Sequence, residues 1–160
     1  MADDMFLKID GIPGESTDAS HKDEITVLSF TWGESQPLVP SSAGGGATGK
    51  VTMQDFHFVM RINKASPKLF LACANGTHIK NAILSVRRAG AAAEFLKWTL
   101  TDVTVGSYQT SDNTPTGEPL TDQIGLRFAK IEVEYRSAKP DGSLDAPVKA
   151  GFDVSANKQV

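Results

Sequence analysis

Residues 44–60 read GGGATGKVTMQDFHFVM, and whether a helix or a strand follows the glycines decides the fold. Gly44, Gly45, Gly46, Gly49 and Lys50 nearly complete the phosphate-cradling pattern G-x-x-x-x-G-K-[ST], whose final hydroxyl holds Mg²⁺. Position 51 is Val, which offers no hydroxyl. A phosphate loop also needs a helix N-terminus directly behind it, to supply free amides and a dipole. Here Phe56, Phe58 and Met60 fall two apart, the period of a strand. The stretch therefore reads as a long glycine-rich connection, residues 36–50, leading into a strand. A nucleotide enzyme built on Lys50 is the weakest of the readings it allows.

The same alternation recurs on both sides. Met5, Leu7 and Ile9 mark a first strand that ends at the turn signal Gly11-Ile12-Pro13-Gly14. In EITVLSFTWG (24–33) Leu28, Phe30 and Trp32 share one face, expected to be the core. Ile25, Val27, Ser29 and Thr31 share the other. Further strands are expected around NAILSVRR (81–88), EFLKWTLTDVTV (94–105) and QIGLRFAKIEVEY (123–135). The last two change phase midway: Leu96, Trp98 and Leu100 are followed by Val103 and Val105, and Ile124, Leu126 and Phe128 by Ile131, Val133 and Tyr135. Each is expected to carry a bulge or to switch sheets there, which is how a sheet bends to close. TSDNTPTGEP (110–119) reads as a turn-rich loop, and PVKAGFDV (147–154) as a last strand or arm.

One helix is expected, SPKLFLACANG (66–76), with Ser66 as its cap, Pro67 in its first turn and Gly76 at its left-handed end. Leu69, Phe70 and Cys73 would form its docking stripe. Seven or more strands with a single short helix predict a mainly β domain spanning residues 1–160: an antiparallel barrel of two packed, bent sheets.

With 160 residues, one cysteine and a net charge of -3, the chain suits one folded domain with no internal disulfide and no nucleic-acid partner. Its start is acidic where a secretion signal is basic, and no run reaches membrane-spanning length, so synthesis as a soluble cytosolic protein is expected. Charge is uneven: residues 1–34 hold eight acids and two bases, residues 61–97 seven bases and one acid. The plain reading is solvated surface; the sharper one is two complementary patches on a subunit that binds copies of itself. His21, His57 and His78 share no metal-ligand spacing with Cys73 and are expected at the surface or in loops. Cys73 reads as a structural thiol, and Trp32 and Trp98 as core. No catalytic fingerprint appears, and no catalytic, metal or cofactor residue is assigned.

The segments MFLKIDGIPGES (5–16), EITVLSFTWG, GGGATGKVTMQDF, SPKLFLACANG, LSVRRAG (84–90), LRFAKIEVEY (126–135) and PVKAGFDV, in this order and spacing, resemble the hemolysin-coregulated protein (Hcp) family, the tube protein of the bacterial type VI secretion system. The resemblance runs over nearly the whole chain. It implies a bent β barrel with one flanking helix and no enzymatic activity. Six copies would close into a ring, and rings would stack into a hollow tube inside a contractile sheath. Contraction would drive tube and tip spike out of the bacterial cytoplasm, without a cleaved signal peptide, and small effector proteins would ride in the lumen. Some members carry an added toxin domain, which the six residues after PVKAGFDV leave no room for. Alternation turns Ser29 and Thr31 away from the core, and the family pattern then implies the lumen wall for them. The glycine-rich connection is expected to touch a neighbouring subunit or ring. A small-ligand-binding barrel, with Trp32 or Trp98 on its cavity wall, stays open as the alternative.

Overall fold

The computed structural model describes residues 3–40, 46–112 and 119–160. In chain order the elements are β1 (Asp4–Ile9), β2 (Ile25–Thr26), β3 (Ser29–Thr31), β4 (Glu34–Ser35), β5 (Leu38–Pro40), β6 (Gly46–Thr48), β7 (Thr52–Met53), β8 (Phe56–Arg61), α1 (Ser66–Asn75), β9 (Ile79–Arg87), β10 (Glu94–Ser111), β11 (Thr121–Tyr135), β12 (Val148–Asp153) and β13 (Lys158–Gln159).

All the pairings are antiparallel, and the main sheet runs β13-β12-β11-β10-β9-β1-β2, with β8 joining β11 to β3. Residues 25–31 complete a circuit. Val27 N–H donates to Met5 O at 3.0 Å on β1, and Leu28 N–H donates to Val59 O at 2.8 Å on β8. This hand-over bends the sheet round a core that includes Leu7, Ile25, Phe56, Phe58, Leu84, Leu100 and Leu126, all almost fully buried. It also corrects the expected phase of EITVLSFTWG. Ile25 and Val27 point inward, the phase slips as the strand changes partner, and Phe30 and Trp32 then pack on the core while Leu28 is 44% exposed.

The phase change in the two long strands has the same cause. One edge of β11 pairs with β8 over Thr121 to Leu126 and with β12 over Lys130 to Tyr135. Between these halves Asp102 of β10 takes a left-handed backbone (φ 55), and a register shift follows between Val105 and Ser107. Buried positions accordingly pass from Leu100 to Val103 in β10 and from Leu126 to Ile131 in β11. A strand that changes neighbours must change which face it shows to the core.

Helix α1 packs on β10. Gly76 closes it in the left-handed conformation (φ 69), as its sequence predicts. Its start differs from expectation. Ala65 is the N-cap and has no side-chain cap, and Ser66 is buried inside the first turn, where its Oγ accepts from Asn63 N–H at 3.1 Å; Asn63 Oδ1 accepts from Ala65 N–H at 2.8 Å. Ser66, Leu69 and Ala72 form the buried stripe, whereas Phe70 is 58% exposed and rests edge-on against Tyr108. Cys73 is half-buried beside the core. Among the described residues no helix is long and apolar enough to cross a membrane.

Candidate functional site

Antiparallel partners show their side chains on the same face, so the register places Thr31, His57, Gly125 and Ser107 in one row across β3, β8, β11 and β10. Ser29, Val59, Gln123 and Gln109 form the next. Ser29 and Thr31 are exposed and point away from the core, as alternation requires. The face is mostly polar. A Cβ on Gly125 would stand 2.4 Å from Ser107 Oγ and 3.1 Å from His57 Nε2, and one on Gly106 would stand 2.8 Å from Arg127 Nε and 3.0 Å from Asp55 Oδ2. Two glycines inside long strands, where glycine is unfavourable, thus let the polar side chains lie down across the sheet. Arg127 Nε faces Asp55 at 3.5 Å at the edge of this face.

Beyond Thr31 the ribbon of β3 and β8 continues outward as an arm. β4 pairs with β7 and β5 with β6, each in a separate two-stranded ladder. From Thr31–His57 to Glu34–Met53, and again from Ser35–Thr52 to Leu38–Thr48, the outgoing strand advances three residues and the returning strand four. Each step leaves one extra residue on the return strand, a bulge that twists the ribbon. At the base, Trp32 Nε1 donates to Gln54 O and Gln54 N–H to Gly33 O, both at 3.0 Å. Within the glycine-rich connection expected over residues 36–50, the described residues 38–40 and 46–48 form a ladder of their own that continues the ribbon. Gly44 and Gly45 lie outside the described residues. Gly46 pairs with Pro40, Gly49 N–H donates to Pro37 O at 3.0 Å, and Lys50 is exposed. The chain passes from Lys50 into a strand, so no helix N-terminus backs the glycines.

The alternative of a ligand inside the barrel finds little room. Trp32 and Trp98, tilted at 56° with ring centroids 5.5 Å apart, line a cleft of about 190 Å³ together with Met53, Ile131 and Phe152. Small-molecule pockets usually take roughly 300–1,000 Å³. The interior itself is filled by the phenylalanines and leucines named above.

Charge is arranged differently from a simple surface patch. Arg87 pairs with Asp18 and, through Nε at 3.4 Å, with Asp4, so the basic and acidic segments already meet within one chain. The hydrogen bond from Arg87 holds the Asp18 carboxyl below its ordinary value, and Asp18 in turn raises Arg87. His21, expected at the surface or in a loop, lies in the loop between β1 and β2 but is buried there between two carboxylates, Glu24 and Glu94, the second far off in sequence. His57 and His78 are exposed. Tyr108 is pushed up by burial and by its 3.0 Å hydrogen bond to the buried Asp122.

The chain as a whole is similar to known proteins. The family model described as "Type VI secretion system effector, Hcp" matches residues 6–135. "Protein hcp1" of Pseudomonas aeruginosa is 42% identical, with 99% of each chain covered. Among solved structures, Hcp1 from Salmonella typhimurium is 39% identical with a TM-score of 0.83 over the full length of both chains. A structure described as a type six secretion system protein is 30% identical, with a TM-score of 0.91 over 99% of this chain and 100% of that one. Sequence and fold agree over the whole length of the sheet and its helix, and the chain belongs to the Hcp family of the type VI secretion system.

Proposed function

We propose that this chain is the ring subunit of a type VI inner tube: six copies close head to tail, and the rings stack into a hollow tube that sheath contraction expels with its tip spike. The subunit does no chemistry. It is made in the bacterial cytoplasm, leaves through the apparatus without a cleaved signal, and carries small effector proteins on its lumen wall. The observation that carries the reading is the arm. Two-stranded ladders of two and three residues are at best marginally stable alone in water, and Leu38 within them is 77% exposed. Such an arm finds its stability against a neighbouring subunit or ring, which also covers open sheet edges. Gly44, Gly45, Gly46, Gly49 and Lys50 then belong to that contact. Deleting residues 44–48 is expected to leave the subunit's circular dichroism and melting unchanged while mass photometry shows loss of rings or of stacked rings. Unchanged assembly would remove the arm from the contact.

This polar face suits the lumen. Hydroxyls of Ser29, Thr31 and Ser107 offer adaptable hydrogen bonds to varied passengers without narrowing the channel. Replacing Thr31 with Gln is expected to lower the amount of effector retained on purified rings, with the rings themselves intact. Lost rings would place Thr31 at a packing contact, and full retention would put the passenger site elsewhere.

A further inference from the structure

His21 is the one buried histidine among the three in the chain. Its ring stacks on Phe6 at 4.5 Å, and each of its nitrogens faces a carboxylate: Nδ1 meets Glu24 at 3.0 Å, and Nε2 meets Glu94 at 2.7 Å. A neutral imidazole has one N–H and one lone pair, and a carboxylate only accepts. With both glutamates ionised, carboxylates within hydrogen-bond distance of both nitrogens require both nitrogens to donate. We infer that residues 12–24 form a proton-dependent strap, clamped by a doubly protonated His21 that bridges Glu24 in the loop to Glu94 at the start of β10.

The other charged groups around the ring fit this state. Arg87 of β9 lies over the Phe6 ring at 5.0 Å, but Asp4 of β1 and Asp18 of the loop pair with it, so its charge is met before it reaches the imidazolium. Asp18 adds attraction at His21 itself. A further tether, the Glu15 carboxylate accepting from the backbone N–H of Lys64 at 2.8 Å, holds the loop to the residues before α1. The strap is thus fixed to three elements by carboxylates and one imidazolium, with few apolar anchors beyond Ile12.

The sign follows from what the folded loop binds. A clamp in which both ring nitrogens donate takes up a proton as it closes, so closure is favoured as pH falls and weakened as pH rises. Asp18 acts oppositely: its lowered value keeps the Arg87 tether until well into acid. The strap is tightest in mildly acidic surroundings. Its end, Glu24, runs straight into β2 and on to Ser29 and Thr31, so opening it loosens the strand that carries the polar face.

The test uses the full chain in its assembled state. Selective ¹⁵N labelling of histidine, with the signals assigned by single substitutions, is expected to show both His21 nitrogens protonated at pH 6. Hydrogen exchange of peptides covering residues 14–24, corrected for the intrinsic base-catalysed rate, is expected to rise about tenfold from pH 6 to pH 8, the scale of one charge-assisted hydrogen bond. His21→Gln should abolish that rise, and Glu94→Gln should reduce it. A neutral tautomer at pH 6, or an unchanged rise in His21→Gln, overturns the inference; if His21→Gln does not fold, the nitrogen signals of the unmodified protein decide alone.

Discussion

Phe56→Ala is expected to destabilise the subunit by about 3–5 kcal/mol, the usual cost of emptying a large aromatic site that cannot collapse. Phe56 is 0% exposed, lies parallel to Phe30 at 5.6 Å and meets Trp98 at 6.4 Å. It sits where β8 passes from the body into the arm, and its cross-strand partner is Leu126. Neither neighbour can move in to fill the space: Phe30 is fixed by the ladder of β3, and Trp98 by its pairing with Leu84 on one side and Val133 on the other. Small domains are stable by only about 5–15 kcal/mol, so the variant should lose much of its margin. Urea unfolding at two protein concentrations separates this loss from the stability that assembly adds by mass action. The midpoint should fall with little change in slope. Phe70→Ala is the matched comparison, because Phe70 is exposed and gives up only its edge contact with Tyr108, worth roughly 0.5–1.5 kcal/mol. If the two substitutions cost the same, Phe56 does not anchor the core.

The contrast between these two phenylalanines shows what the sequence could and could not reveal. Strand existence was legible, because alternation is a property of one strand and its two faces. Phe56, Phe58 and Met60 are all buried as their spacing predicts. The mid-strand phase changes were legible for the same reason, and they mark where β11 exchanges one neighbour for another. Facing direction failed wherever a short segment serves two partners. Residues 24–33 look like one strand, yet the hand-over from β1 to β8 turns Leu28 outward. The helix stripe was only partly legible, because the pattern fixes an angular spread and not its centre: Leu69 is buried and Cys73 half-buried as expected, but Ser66 and Ala72 complete the stripe and Phe70 is turned outward.

The polar face was partly legible. Ser29 and Thr31 follow from alternation alone, but the rest of the face needs register, which a single sequence does not contain. Gly106 and Gly125 carried the one available signal, glycine inside otherwise strand-like runs. His21 carried none. Its carboxylates come from positions 24 and 94, and only the fold brings Glu94 to the loop.

Gly14→Ala is expected to cost about 1–3 kcal/mol, the range for forcing an extra carbon into a closed site, with the upper end favoured by what surrounds it. A Cβ there would stand 2.5 Å from Glu24 O, and 2.7 Å from both Glu24 C and Ile25 Cα. All three are backbone atoms, so no side chain can rotate aside. The loop must instead lift from β2, straining the bonds from Gly14 N–H to Asp23 O at 2.7 Å and from Ser16 N–H to Glu24 O at 3.0 Å. Gly33→Ala is the control: its nearest neighbour is the flexible end of Gln54 at 3.4 Å, and the change should stay within roughly 0.5 kcal/mol. Calorimetric melting distinguishes the two. The Gly14 variant also separates the crossing of the two chain segments from the clamp that holds it. Lifting the loop moves Glu24 away from the His21 ring whatever its protonation, so exchange over residues 14–24 should be fast at pH 6 and gain little more by pH 8. A Gly14→Ala protein that melts normally would mean that the two segments can part without cost. One that melts early yet keeps the full pH dependence would mean that the histidine clamp closes independently of the crossing.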